Sequence, residues 1–117
     1  MHARSLATLV IAALLASMPF AGLQAGGTAE PVVIQIKDYR FIPDELTVKV
    51  GTTVRWENVE KRQFHSVYFE SLGDPVRDDF FPGEVRERTF EKPGTYPYIC
   101  EPHDSSHKMR GVIHVVE

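Results

Sequence analysis

The sequence predicts an all-β domain, an antiparallel sandwich of about seven short strands. Three observations lead to this fold class. Several segments alternate apolar and polar residues, as half-buried strands do. Turn-forming residues separate these segments at short intervals. No segment keeps a helical period for more than a single turn, which we expect only in the long loop 70–83.

The first 25 residues are predicted to be a cleaved signal peptide. Arg4 lies in a short positive region, and the apolar run 6–18 has the length of a secretory signal core. This run is too short for a membrane-spanning helix, which needs roughly 20 apolar residues. We expect cleavage after Ala25, with cleavage after Ala21 or an uncleaved N-terminal anchor as the alternatives. The prediction places the mature protein in the periplasm.

Residues 26–31 are predicted to be a linker and residues 32–117 a single domain. The chain of 117 residues has a formal net charge of −3. It contains no run of Lys or Arg and no basic amphipathic helix, so nothing indicates binding to nucleic acid or to a membrane surface. We expect a monomer without stable membrane insertion.

The first three strands are predicted from composition and alternation. Residues 32–36 are rich in β-branched side chains. Residues 46–50 alternate apolar and polar side chains, the turn Gly51-Thr52 follows, and residues 53–57 alternate again.

Four more strands complete the sandwich. Residues 65–69 place every second side chain on one face, and residues 85–90 follow the long loop. The turn 92–94 leads into residues 95–100, and residues 111–116 close the domain. Five aromatic side chains are expected to supply much of the core: Trp56, Phe41, Phe64, Phe69 and Phe90.

The chemistry of the chain is concentrated before the closing strand. Its only cysteine, Cys100, lies within ten positions of His103, His107 and Met109. A buried inert thiol and an intermolecular disulfide are alternatives for a lone cysteine in an exported protein. The imidazole and thioether neighbours favour a metal-bound thiolate, and the softness of these ligands indicates copper.

Copper that changes between two oxidation states needs ligands that suit both states. Two imidazoles and a thiolate in a trigonal plane, with a long axial thioether, meet this requirement. A sandwich can supply one histidine from a distant strand, here His65, and the other ligands from one loop, here Cys100, His103 and Met109. Pro102 has a fixed φ and stiffens the arc between the thiolate and the second imidazole.

These motifs resemble the plastocyanin, pseudoazurin and amicyanin group of cupredoxins. The residues that carry the resemblance are 64–67, 94–103 and 109–113, with the upstream stretch 41–58, so it covers nearly the whole domain. It implies a cupredoxin-like Greek-key β-sandwich of about seven to eight strands that holds one type 1 copper ion, Cu(I)/Cu(II).

The resemblance also implies a role for each site residue. It assigns His65 and His103 as imidazole ligands, Cys100 as the thiolate and Met109 as the axial ligand. Ser66 corresponds to a position whose side chain often links the two ligand segments through a hydrogen bond.

The ligand loop departs from the family's pattern. Five residues separate His103 from Met109, a longer spacing than is usual, and one of them is His107. Three interpretations remain open: His107 is a solvated loop residue, it replaces or joins His103 as a ligand, or it gates or tunes the site from outside. We expect His114, on the closing strand, to be a surface or packed residue rather than a ligand.

The leading functional hypothesis is single-electron transfer in the periplasm. A complete set of four ligands leaves no open coordination position, so we do not expect an enzyme. The resemblance suggests a c-type cytochrome or a periplasmic dehydrogenase as redox partner, docking on apolar residues around His103 that include Pro102. A copper carrier that delivers copper to a periplasmic acceptor is the alternative, and a metal-free interaction module is a third hypothesis.

Overall fold

A computed structural model describes residues 30–117, which form a sandwich of two β-sheets. The predicted signal peptide, residues 1–25, and most of the predicted linker lie outside the described residues. Within residues 30–117 no helix has the length and apolar character that crossing a membrane requires.

Seven strands build the two sheets, and their order places the ligand loop between two strands of the smaller sheet. The larger sheet has the order β2-β1-β4-β5, and the smaller has the order β3-β7-β6. The strands are β1 (Val32–Lys37), β2 (Arg40–Ile42), β3 (Glu45–Lys49), β4 (Thr52–Asn58), β5 (Val85–Phe90), β6 (Gly94–Ile99) and β7 (Arg110–Val116). Single 3-10 turns lie at Glu70–Leu72 and Glu101–His103, and a four-residue helix, α1, follows at Asp104–His107.

Six of the predicted strands are confirmed to within one residue at each end, and one is wrong. Residues 65–69 form no continuous strand, because His65 and Tyr68 make only single bridges, to Phe80 and to Ile99. The consecutive residues His65 and Ser66 are both buried, which a regular strand with one core face does not allow. Strand β2 was not predicted.

The sheets are mixed, so the prediction of a purely antiparallel sandwich needs correction. Strand β4 pairs with β1 in parallel, and β7 pairs with β3 in parallel, while the other pairs are antiparallel. The parallel pairs arise because the chain leaves the larger sheet after β2 to form β3 and then returns to it. Strand β4 therefore enters beside β1 in the same direction.

An aromatic cluster fills the core between the sheets. Trp56 is 1% exposed, and its ring lies edge-on to Phe69 and to Tyr98, at centroid distances of 5.8 and 5.4 Å. Four of the five predicted aromatic core residues are buried: Trp56, Phe41, Phe69 and Phe90. The prediction for Phe64 is wrong, because this residue precedes the inward turn at His65 and stays partly exposed.

Candidate metal centre

Three buried side chains bring metal-ligating atoms together. His65 and Cys100 have no exposed surface, and His103 is 8% exposed. The ligand atoms of these three residues all lie within 4.8 Å of one another. Three of the four predicted site residues therefore form one cluster.

Backbone hydrogen bonds of Ile99 and Cys100 fix the position of the thiol. Its own N–H donates to the carbonyl oxygen of Met109 at 2.9 Å. The preceding residue, Ile99, exchanges backbone hydrogen bonds with Tyr68 at 2.8 and 3.1 Å. The end of β6 is thus held by two neighbouring segments, and Cys100 cannot shift without breaking these bonds.

A tight turn carries the second imidazole back toward the thiol. Glu101–His103 is a single 3-10 turn with Pro102 in its first positions, where a missing N–H has no cost. The His103 N–H donates to the Cys100 carbonyl oxygen at 3.0 Å. The Cys-x-x-His spacing therefore folds both side chains toward the same point.

The first imidazole comes from the irregular segment that replaces the predicted strand. The backbone of His65 exchanges two hydrogen bonds with Phe80, at 3.0 and 2.8 Å. The next residue, Ser66, donates its N–H to Cys100 Sγ at 3.3 Å and accepts the Glu101 N–H on its Oγ at 3.1 Å. Ser66 thus links the two ligand segments, as the resemblance implied.

The spacing of the ligand atoms fits a trigonal metal site. Cys100 Sγ lies 3.7 Å from His65 Nδ1 and 3.3 Å from His103 Nδ1. First-row metal bonds of about 2.0 Å to nitrogen and about 2.3 Å to sulfur put trigonal neighbours about 3.7 Å apart. Both Nδ1 atoms and the sulfur are therefore near the separation that one shared ion needs, and this N₂S set suits copper.

The far nitrogen of each imidazole also has a partner. His65 Nε2 lies 3.2 Å from Glu60 Oε1, and His103 Nε2 lies 3.1 Å from the side-chain amide nitrogen of Gln63. Such contacts fix the orientation of a ligand ring and the nitrogen that carries its proton. The sequence analysis identified neither Glu60 nor Gln63, because they belong to no motif; only their nearness to His65 in the chain could have indicated them.

Burial sets the protonation of the three ligands. It lowers the pKa of His65, against the opposing effect of the hydrogen bond to Glu60, and it also lowers the pKa of His103. Burial raises the pKa of the Cys100 thiol, although the Ser66 N–H bond acts in the opposite direction. Burial therefore favours neutral imidazoles, the form that binds metals, and metal binding has to displace the thiol proton.

We expect the metal-free protein to lose stability as the pH falls below about 6.5, the ordinary pKa of histidine. Because the folded-state pKa values of His65 and His103 are lowered, the unfolded chain binds more protons in this range, and protons favour unfolding. Urea unfolding at a series of pH values between about 7 and 5, above the ordinary pKa range of carboxylates, measures this loss. Unfolding free energies independent of pH in that range would contradict it.

Met109 and His107 occupy different surroundings. Met109 is 1% exposed and directly precedes β7. His107 lies outside the donor cluster, exposed at the end of α1, with its ring stacked on Tyr39 at a centroid distance of 3.8 Å. His114 lies 2.8 Å from the Glu45 carboxylate on the neighbouring strand, away from the cluster.

The chain is similar to known copper proteins over most of its length. A family model described as a cupredoxin-like domain matches residues 6–115. An amicyanin of Paracoccus versutus is 36% identical over 91 residues, covering 73% of this chain and 64% of the relative. A plastocyanin of Scenedesmus fuscus is 34% identical over 85 residues, covering 64% of this chain and 85% of the relative.

Solved structures give the same result for the fold. The crystal structure of the Paracoccus versutus amicyanin matches with a TM-score of 0.63 and 28% identity, covering 82% of this chain and 87% of that chain. A copper-containing nitrite reductase from Thermus scotoductus matches with a TM-score of 0.61 and 32% identity. That match covers 75% of this chain but only 23% of the reductase.

These similarities and the buried donor cluster agree with each other. They confirm the predicted cupredoxin-like β-sandwich and the predicted copper cofactor. The chain belongs to the cupredoxin family, among the relatives of amicyanin and plastocyanin.

Proposed function

We propose that this chain is a periplasmic electron carrier with one type 1 copper ion. His65, Cys100, His103 and Met109 would hold this ion through two imidazoles, a thiolate and a thioether. One observation carries the proposal: two imidazole nitrogens and a thiol sulfur, all buried, converge within 4.8 Å in a chain of this family. A bound copper ion would supply one-electron redox chemistry between Cu(I) and Cu(II).

The protein's part is to keep the ligands in place and exclude water. Backbone bonds fix Cys100, the 3-10 turn fixes His103, and paired bonds with Phe80 fix His65. Ligands held by the fold need little rearrangement when the charge of the site changes. The four proposed ligands leave no position for a substrate, which favours a carrier over an enzyme.

We infer a periplasmic location from the predicted signal peptide, and the single cysteine is compatible with this location. A free thiol is at risk of oxidation in an oxidising compartment. Cys100 is fully buried, and copper binding would occupy its sulfur. Burial and a bound copper ion would both protect this cysteine after export to the periplasm.

We propose an aromatic docking surface beside His103, formed by Phe64, Phe81 and Pro102. The Phe64 ring lies 5.5 Å from the His103 ring and 5.8 Å from the ring of Phe81, which is 56% exposed. Apolar contact suits a short-lived encounter with a c-type cytochrome or a periplasmic dehydrogenase. Three acidic residues of the long loop, Asp74, Asp78 and Asp79, are paired with arginines.

A copper carrier is the alternative function. It would be favoured by a mobile ligand loop that opens to release the ion. The inserted residues instead form α1, which is closed by the Lys108 N–H bond to the Asp104 carbonyl oxygen and by the ion pair of Arg110 with Asp104 at 2.7 Å. These contacts favour an ordered site and therefore electron transfer.

The two functions are separated by rates measured on the copper-loaded protein. We expect an intense visible absorption with Cu(II) and rapid electron exchange with a c-type cytochrome in stopped-flow measurements. Phe81→Asp should slow this exchange about tenfold or more without changing the reduction potential, because it places a charge in the proposed contact. The matched control Phe81→Leu should keep most of the rate.

A copper carrier would give a different result. It would pass Cu(I) rapidly to a copper-binding acceptor protein and exchange electrons slowly with the cytochrome. That outcome would contradict the proposed electron transfer while leaving the copper site in place. Absence of the visible absorption after Cu(II) loading would contradict the copper site itself.

A further inference from the structure

The extra residues of the ligand loop form a short helix that contacts Tyr39. The inserted residues fold into α1, which is followed by Lys108 in a left-handed conformation, φ 50°. The helix presents His107 to Tyr39, and the two rings stack at 3.8 Å with an interplanar angle of 5°.

Tyr39 in turn covers both ligand imidazoles. Its ring lies edge-on to His103 at 5.0 Å and to His65 at 5.8 Å, with interplanar angles of 86° and 83°. His103 and His107 are themselves 6.0 Å apart. Tyr39 therefore contacts His107 with its face and the two ligand rings with its edge.

Hydrogen bonds connect Tyr39 to the far nitrogen of each imidazole. Its backbone N–H donates to Glu60 Oε1 at 3.2 Å, the same oxygen that lies 3.2 Å from His65 Nε2. Its hydroxyl donates to Gln63 Oε1 at 3.2 Å, and the amide nitrogen of Gln63 lies 3.1 Å from His103 Nε2. Tyr39 is thus linked to the His65 ring through the Glu60 carboxylate and to the His103 ring through the Gln63 amide.

The backbone at this position also indicates a constrained role. Asp38 and Tyr39 have φ values of 53° and 57°, in the left-handed region that residues other than glycine rarely adopt. Such a conformation persists where the surroundings determine it, and it is frequent near functional sites. Here the bond to Glu60, the bond to Gln63 and the stack on His107 hold Tyr39 in place.

An amide is suited to hold a metal-binding imidazole. With its proton on Nδ1, His103 accepts the Gln63 amide N–H on Nε2, and the Tyr39 hydroxyl donates to Oε1. Metal binding through Nδ1 requires the proton on Nε2. A 180° rotation of the amide then lets Oε1 accept this proton and lets the amide N–H donate to the Tyr39 hydroxyl. Gln63 can therefore pair with either tautomer.

We propose that Tyr39 and Gln63 are positioning residues: they form a hydrogen-bonded clamp on Nε2 of the His103 imidazole and so hold its Nδ1 toward Cys100. His107 supports this clamp by stacking on Tyr39. This inference rests on the proposed copper site. It assigns His107 a role outside the ligand set. The lengthened loop would serve to place His107 against Tyr39. The clamp acts through hydrogen bonds and stacking, so single atoms can be removed to test it.

The first test uses the metal-free protein. Nitrogen-15 NMR of the histidine side chains should show a hydrogen-bonded His103 Nε2 in the unsubstituted protein, and a weakened or lost hydrogen bond with faster proton exchange in Tyr39→Phe and Gln63→Leu. Tyr96→Phe and Gln35→Leu are matched controls. Tyr96 donates its hydroxyl to the Lys92 carbonyl oxygen at 2.8 Å, and Gln35 is exposed on β1. Both controls should match the unsubstituted protein.

The second test is titration with Cu(II) alone. Loss of a contact that orients a metal ligand typically weakens metal binding about ten- to a hundredfold, which we expect for Gln63→Leu. Tyr39→Phe and His107→Ala should have smaller effects in the same direction. Gln63→Glu should restore most of the affinity, because its carboxylate still accepts the Nε2 proton of the metal-binding tautomer.

The outcomes separate this inference from the proposed function. Unchanged His103 spectra and unchanged copper affinity in both Tyr39→Phe and Gln63→Leu would overturn the clamp. Equal losses in Gln63→Leu and Gln63→Glu would also overturn it, because a retained acceptor for the Nε2 proton would then have no effect on copper binding. If the unsubstituted protein bound no copper, the proposed function would fail, and the metal-free spectra would still decide whether the ring is clamped.

Discussion

Replacing Cys100 with serine is expected to abolish the intense visible absorption of the Cu(II) protein. This absorption needs a thiolate bound to copper, and a serine hydroxyl stays protonated and is a poor copper ligand. Copper should also stop stabilising the fold. Saturation at a thousand times the dissociation constant adds about 4 kcal/mol to the unfolding free energy of a binding protein. Absorption spectra and urea unfolding with and without copper measure both effects.

The serine variant should still fold without metal. Its hydroxyl would occupy the buried position of the sulfur, where the Ser66 N–H can donate to it. His114→Ala is the control, because it removes an imidazole that lies beside Glu45 and away from the cluster. A serine variant that kept the visible absorption, or a control that lost it, would contradict the ligand assignment.

Gly111→Ala is expected to destabilise the domain by about 1–3 kcal/mol, as overpacking does. An added Cβ would lie 2.8 Å from Tyr98 Cε1 and closer still to Cζ and the hydroxyl oxygen. The Tyr98 ring cannot move aside, because Phe41, Phe69 and Trp56 enclose it at centroid distances of 4.7, 4.9 and 5.4 Å. Thermal unfolding should shift by about 4–8 °C for each kcal/mol.

A double-mutant cycle isolates this contact. Gly111→Ala should cost much less in a Tyr98→Leu background, because the smaller side chain leaves room for the new methyl group. Equal costs in the two backgrounds would show that the clash with Tyr98 is not the cause. The contact bears on the site because Gly111 and Tyr98 are register partners on β7 and β6, the strands that flank the ligand loop.

Local patterns were sufficient to predict most strands of this fold. Residues 46–50 and 53–57 alternate clearly, and the structure has strands at 45–49 and 52–58. The same logic failed for residues 65–69, where the need to bury both His65 and Ser66 overrides alternation. Strand β2 was missed because the turn before it uses left-handed Asp38 and Tyr39 rather than glycine.

Pairing between strands could not be predicted in the same way. Alternation states which face of a strand is buried, but it does not state which strand lies beside it. The parallel pairs β1–β4 and β3–β7 depend on the chain crossing between sheets. Only the whole fold determines these crossings.

Some residues of the candidate site could also be predicted from the sequence, and others could not. His65, Cys100 and His103 could be predicted because metal ligands are chemically distinctive and because Cys-x-x-His is a local spacing. Tyr39, by contrast, lies 26 positions before His65 in the sequence and has no metal-binding chemistry of its own. Its contacts with the imidazoles result from the turn between β1 and β2. The helix that carries His107 was missed because four residues show no apolar period.

The central claim is that copper is bound by His65, Cys100 and His103, with His107 outside the ligand set. Anomalous X-ray diffraction at the copper edge from crystals of the copper-loaded protein tests it most directly. We expect one copper ion bonded to Nδ1 of each of the two imidazoles and to Sγ, with the His107 ring still stacked on Tyr39. Copper bonded to His107 in place of His103 would contradict the claim.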